Sequence, residues 1–181
     1  MLSEFRRRKL TRFFAVVDAD GDGVFTAADT ELVAERLARL RGLDPASSEH
    51  ASFRAGFMYY WQDVRRACDS DVNGRVTLSE WIAYHEVMLA DAARFEATAQ
   101  NSAGLMFALV DADEDGVISP EEYGTWMRAW GMTDDESSAE VLRRINPGGG
   151  GLTREAVLER TREFFYSEDP DAPGNWAMGP L

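Results

Sequence analysis

Asp111-Ala112-Asp113-Glu114-Asp115-Gly116-Val117-Ile118-Ser119-Pro120-Glu121-Glu122 decides how this 181-residue chain is read, because its twelve-residue pattern recurs twice. Asp18-Ala19-Asp20-Gly21-Asp22-Gly23-Val24-Phe25-Thr26-Ala27-Ala28-Asp29 repeats it, as does Asp69-Ser70-Asp71-Val72-Asn73-Gly74-Arg75-Val76-Thr77-Leu78-Ser79-Glu80. A hard cation such as calcium takes six to eight oxygens at roughly 2.3–2.6 Å. Carboxylates or amides at positions 1, 3 and 5 supply one side of such a cage. Glycine at position 6 (Gly23, Gly74, Gly116) lets the backbone bend around the ion. Position 7 needs only a carbonyl, so Val24, Arg75 and Val117 all serve. Position 9 (Thr26, Thr77, Ser119) ligates directly or through water, and Asp29, Glu80 or Glu122 at position 12 closes the cage. An apolar residue at position 8 (Phe25, Val76, Ile118) is placed to pair with the same position of a neighbouring loop.

These loops resemble the EF-hand calcium loop, and the chain resembles a four-EF-hand protein. The flanks agree: Thr77-x-x-Glu80 and Ser119-Pro120-Glu121-Glu122 are helix N-cap signatures. Phe14 and Val17 before the first loop reappear as Phe107 and Val110 before the third. EF-hands pair, so three copies imply a fourth. Thr133-x-x-Glu136 opens a helix with Val141, Leu142 and Ile145 at helical spacing. Asn146-Pro147-Gly148-Gly149-Gly150-Gly151-Leu152-Thr153 follows, one residue short and without carboxylates at positions 3 and 5. Leu152-Thr153 matches positions 8 and 9, so this copy is expected to pair with hand III and bind nothing. The expected fold is all-α: four helix-loop-helix hands in two paired lobes packed compactly, with short β-bridges between paired loops.

The three sites are unequal. Site I (Asp18, Asp20, Asp22, Asp29) has the shorter Asp at position 12, which hinders bidentate closure and favours a smaller, six-coordinate ion, so magnesium is expected to be tolerated best there. Site II (Asp69, Asp71, Asn73, Glu80) has one charge fewer but a Glu that can bind through both oxygens. Site III (Asp111, Asp113, Asp115, Glu122) has the fullest set and is expected to hold calcium most tightly.

Hands I and II are assigned to residues 1–91, hands III and IV to 92–166, and a docked tail to 167–181. Loop starts are separated by 51, 42 and 35 residues. The extra length in the first gap is assigned to a helix from about Pro45 to Cys68, with Phe53, Phe57, Trp61 and Val64 as an aromatic core stripe. Ala90 to Arg94 reads as a short helical junction. The long first gap, aromatic-rich helices, Asp29 and the Ala172-Pro173-Gly174-Asn175-Trp176 tail are similar to the sarcoplasmic calcium-binding proteins and their calexcitin and calerythrin relatives. That resemblance implies a compact cytosolic protein binding calcium and magnesium, with one silent hand.

Composition narrows the rest. The formal net charge is −13, from 32 acidic and 19 basic residues, which argues against nucleic acid as partner. Eleven of the acids occupy positions 1, 3, 5 and 12 of the three loops; the remaining twenty-one nearly balance the nineteen bases. No apolar run, Gly56 to Trp61 included, comes near the roughly 18 residues of a membrane span. The N-terminus lacks a secretory apolar core, and Leu2 stands where N-myristoylation needs a glycine, so a cytoplasmic monomer is expected. Lys9 is the only lysine, a bias of GC-rich coding genomes that points to a bacterial host. The cluster Arg6, Arg7, Arg8, Lys9 and Arg12 is assigned to a solvated face or to contact with the acidic loops. Cys68 takes the apolar slot of Val17 and Val110 and reads as an inert thiol. His50 and His85 read as ordinary helix residues. No constellation for catalysis is present, so an enzyme is not expected. Two roles remain open: a calcium buffer, favoured by rigid aromatics and scattered methionines, or a sensor that exposes an apolar groove to a target helix.

Overall fold

The computed structural model describes residues 2–132 and 135–181. Among these are eight α-helices and four two-residue strands, each strand set between two helices. Hand I comprises α1 (Glu4–Val17), β1 (Val24–Phe25) and α2 (Ala27–Leu40). Hand II comprises α3 (Ser48–Cys68), β2 (Val76–Thr77) and α4 (Leu78–Leu89). Hand III comprises α5 (Ala92–Val110), β3 (Val117–Ile118) and α6 (Pro120–Ala129). Hand IV comprises α7 (Asp135–Ile145), β4 (Leu152–Thr153) and α8 (Arg154–Tyr166), and a 3₁₀ turn at Pro173–Trp176 follows. The helix-opening residue Thr133 lies outside the described residues. No helix among those described is long and apolar enough to cross a membrane.

The position-8 residues meet as expected. β1 and β2 are antiparallel with Phe25 opposite Val76, and β3 and β4 with Ile118 opposite Leu152. All four side chains are buried, so each bridge fastens two loops and fills the core at once. The aromatic stripe is core: Phe57 and Trp61 are buried, and Phe57 lies 6.2 and 6.3 Å from the rings of Trp126 and Trp130. One apolar cluster runs from Leu10 and Phe25 through Phe57 and Trp61 to Tyr123, Trp130 and Leu152. Helix α2 packs on both α3 and α6, α5 packs on α8, and α1 packs on α4 and α8.

Three expectations are corrected. Helix α3 begins at Ser48, because Ser47 caps it by accepting from the His50 amide, while Asp44 starts a separate turn by accepting from the Ala46 amide at 2.9 Å. The Ala90–Arg94 junction is broken, since Asp91 caps α5 by accepting from the Arg94 amide. The basic cluster does not reach the acidic loops. Lys9 is fully buried, and its ammonium donates to Glu163 O (3.3 Å), Ser167 O (2.8 Å) and Asn175 Oδ1 (3.1 Å). Arg6 donates to Phe165 O and Arg12 to Met178 O, leaving Arg7 and Arg8 exposed. Residues 167–179 are thereby drawn against α1, and a Cβ at Gly174 would collide with the α8 backbone at Arg160 and Phe164.

Candidate metal centres

Each loop is built by the caps of its two helices. Asp18, Asp69 and Asp111 at position 1 are the C-caps of α1, α3 and α5. Asp29, Glu80 and Glu122 at position 12 sit in the first turn of α2, α4 and α6, each in a capping box with Thr26, Thr77 or Ser119. One oxygen of each position-12 carboxylate accepts the position-9 amide, at 2.8, 2.9 and 2.8 Å. The same oxygen also takes the position-9 hydroxyl, at 3.0, 2.8 and 2.9 Å. The exit helix thus aims its own closing residue. Gly23, Gly74 and Gly116 have φ of 89°, 79° and 85°, and their amides donate to the position-1 carboxylates at 3.0, 2.9 and 3.1 Å. Asp22, Asn73 and Asp115 each accept the position-7 amide, of Val24, Arg75 and Val117.

Carboxylate oxygens converge in all three loops. Those of Asp18, Asp20 and Asp22 lie within 4.8 Å of one another, as do those of Asp69, Asp71 and Glu80, and those of Asp111, Asp113 and Glu122. Asp18 Oδ1 and Asp111 Oδ1 are buried and accept no hydrogen bond. A buried, unpaired carboxylate oxygen is costly unless something positive meets it, and with only oxygen donors around it a hard cation fits. Burial, aided by the charges of Asp29 and Asp22, raises the Asp18 carboxyl above its ordinary range. Site II is quieter: Asp69 Oδ1 accepts the Asn73 amide at 3.0 Å, and Arg65 donates to its Oδ2 at 3.3 Å. Burial pushes Asp69 up, but the Gly74 and Asn73 amides outweigh it, so it titrates low. The Thr77 amide and the Ser70 contacts hold Glu80 at about 2.

Site I differs at its closing residue. The second oxygens of Glu80 and Glu122 accept the position-2 amides of Ser70 (3.0 Å) and Ala112 (2.6 Å), and both residues belong to the converging groups. Asp29, one methylene shorter, accepts the position-3 amide of Asp20 at 3.2 Å and stands outside its group.

In hand IV, the Asn146 side-chain amide donates to the carbonyls of Gly149 (3.0 Å), Gly150 (3.2 Å) and Gly151 (3.2 Å). A side-chain N–H there gathers the carbonyls that a cation gathers elsewhere, so the loop closes without an ion. Two features escaped the sequence reading. Position 4 is left-handed, with Val72 and Glu114 both at φ 58°, a need that Gly21 alone signals. Arg41 reaches hand III from hand I, donating to Val110 O at 2.7 Å, a contact between positions 69 residues apart. Cys68 is buried, and burial with the nearby Glu80 charge pushes its thiol up to about 12.

Comparison with known proteins agrees with this geometry. The EF-hand family model matches residues 105–127. Calerythrin from Saccharopolyspora erythraea is 24% identical over 163 residues, covering 87% of this chain and 90% of its own. The sarcoplasmic calcium-binding protein of Perinereis vancaurica tetradentata is 27% identical over 174 residues, covering 96% and 97%. The calcium-loaded apo form of the coelenterazine-binding protein from Renilla muelleri superposes with a TM-score of 0.81 at 24% identity, over 99% of this chain and all of that one. The chain thus carries an EF-hand match within its third hand and is alike in sequence to calerythrin and to a sarcoplasmic calcium-binding protein over most of its length.

Proposed function

We propose that the chain binds three calcium ions, in hands I, II and III, and acts as a cytoplasmic calcium buffer. The observation that carries the binding is the convergence of carboxylate oxygens in three loops, with buried, unpaired oxygens on Asp18 and Asp111. The ligands of each site are then the side chains at positions 1, 3, 5 and 12, the carbonyls of Val24, Arg75 and Val117, and the hydroxyls of Thr26, Thr77 and Ser119, directly or through water. Buffering is favoured over sensing because the tail lies across α7 and α8, and the exposed large apolar residues Leu40, Tyr59, Val72, Val87 and Leu181 are spread over separate elements. A sensor needs a contiguous apolar groove to offer.

Isothermal titration with calcium tests the stoichiometry of three. Each occupied site adds stability by mass action, about 2.7 kcal/mol at a hundredfold excess over Kd, so the melt moves upward between chelator and millimolar calcium. A melt that stays put refutes the binding. Strong calcium-induced binding of a hydrophobic dye, with expansion in small-angle scattering, shows a sensor instead. Asp29 standing apart supports site I as the one that takes magnesium best; Asp29→Glu then shifts that site toward calcium in a magnesium competition titration.

A further inference from the structure

Arg41 follows the last residue of α2, and α2 packs on α6, so hand I delivers a guanidinium to the mouth of hand III. Its Nη2 donates to Val110 O, the final carbonyl of α5, one residue before the position-1 ligand Asp111. Its guanidinium lies over the Phe53 ring, the central carbon 5.4 Å from the ring centre. It shares one recess with Asp113, Ser119 and Glu122, three of the ligands assigned to site III. Among the described residues it forms no close ion pair; the charges acting on it are those of Glu122, Asp111 and Glu49. Among the described residues no basic side chain of another hand bonds at site I or II: Arg65, the cation at Asp69, belongs to hand II itself.

We propose that Arg41 is a tethered cation that weakens calcium binding at site III and links that site to hand I. The inference rests on site III binding calcium. While the site is empty, the guanidinium offsets part of the repulsion among four carboxylates. Once a divalent ion enters, the same positive charge opposes it across a half-buried recess where water screens poorly. Site III thus binds more weakly than its full carboxylate set would dictate. Because Arg41 rides on the exit helix of hand I, any displacement of α2 on filling site I alters how strongly site III is opposed.

The test uses the three position-6 glycines, whose amides each donate to their own position-1 carboxylate and so report one site apiece. Calcium titration of the full chain is followed at the amide resonances of Gly23, Gly74 and Gly116. In Arg41→Gln the affinity read at Gly116 rises by about three- to tenfold, with Gly74 unchanged. Arg41→Lys keeps the charge but loses the planar fork, and Gly116 titrates as in the unaltered chain. A Gly116 curve unchanged in Arg41→Gln overturns the proposal, as does an equal change at all three glycines or a Lys variant that behaves like Gln. Should Arg41→Gln not fold without calcium, the Arg41 Nε resonance of the unaltered chain decides. It must shift in step with Gly116, and silence through that step refutes the link. If Gly116 of the unaltered chain ignores calcium altogether, it is the binding at site III that fails.

Discussion

Val72 is the residue whose backbone is least at ease. It stands at position 4 of loop II with φ of 58°, where a β-branched side chain crowds the backbone and glycine does not. Its side chain is 73% exposed and returns little packing in exchange. Val72→Gly is therefore expected to stabilise the calcium-free protein by about 1 kcal/mol, as a higher urea midpoint at unchanged slope. At this scale the sequence spoke clearly about ligands and poorly about everything between them. Carboxylate spacing dictates the cage, because an ion accepts few arrangements of oxygens. The left-handed turn at position 4 is masked wherever a residue other than glycine occupies it. Asn146 was equally opaque: a missing carboxylate announces a silent loop, but only the folded loop shows an amide doing the ion's gathering.

Among the elements, the junction of α1, α4 and α8 concentrates the contacts that no local pattern foretells. Lys9 offers three N–H donors, and three acceptors from residues 163–175 receive them. Burial, then the neighbouring Arg6, lowers its ammonium to about 8, which still leaves it mostly charged at neutral pH. Lys9→Met leaves those acceptors without a partner and costs about 2–4 kcal/mol in chemical denaturation. Lys9→Arg does not restore the loss, because a planar fork is bulkier than the ammonium its cavity fits. The helix starts were legible, since Ser119 and Thr77 announce their caps locally. The fate of the basic cluster was not, because its acceptors lie more than 150 positions away.

His85, on α4, lies in the same junction. Its Nδ1–H donates to Trp81 O at 2.7 Å, and its ring stacks on Phe165 at 5.6 Å with Phe13 and Tyr84 edge-on. Burial holds it near 4, below the 6.5 of a free histidine. Between those values the unfolded chain binds the extra proton, so stability present above pH 6.5 is lost on acidification. From pH 7.5 to 5 the loss is about 2 kcal/mol, read as the difference between the unaltered chain and His85→Phe in urea titrations with chelator.

Over the whole molecule, the charge of −13 is a property of the three sites. Three calcium ions reduce it to −7, and the rest of the chain is near neutrality. Added monovalent salt should therefore raise the melting temperature in chelator and change it much less in saturating calcium, because screening matters only while the carboxylates face one another bare. A melt equally salt-sensitive in both states would place the repulsion elsewhere. The fold was readable at this level because paired hands obey a simple rule: each loop bridges its partner at position 8, and the apolar helix faces follow. The lashing of α1 by residues 163–178 bears on biosynthesis. The first helix leaves the ribosome before any of its acceptors is translated, and it is capped by Asp18, the first residue of the first loop. Hand I must wait, incompletely held, until those acceptors emerge, so its loop is fixed in place only after α8 of hand IV has been made.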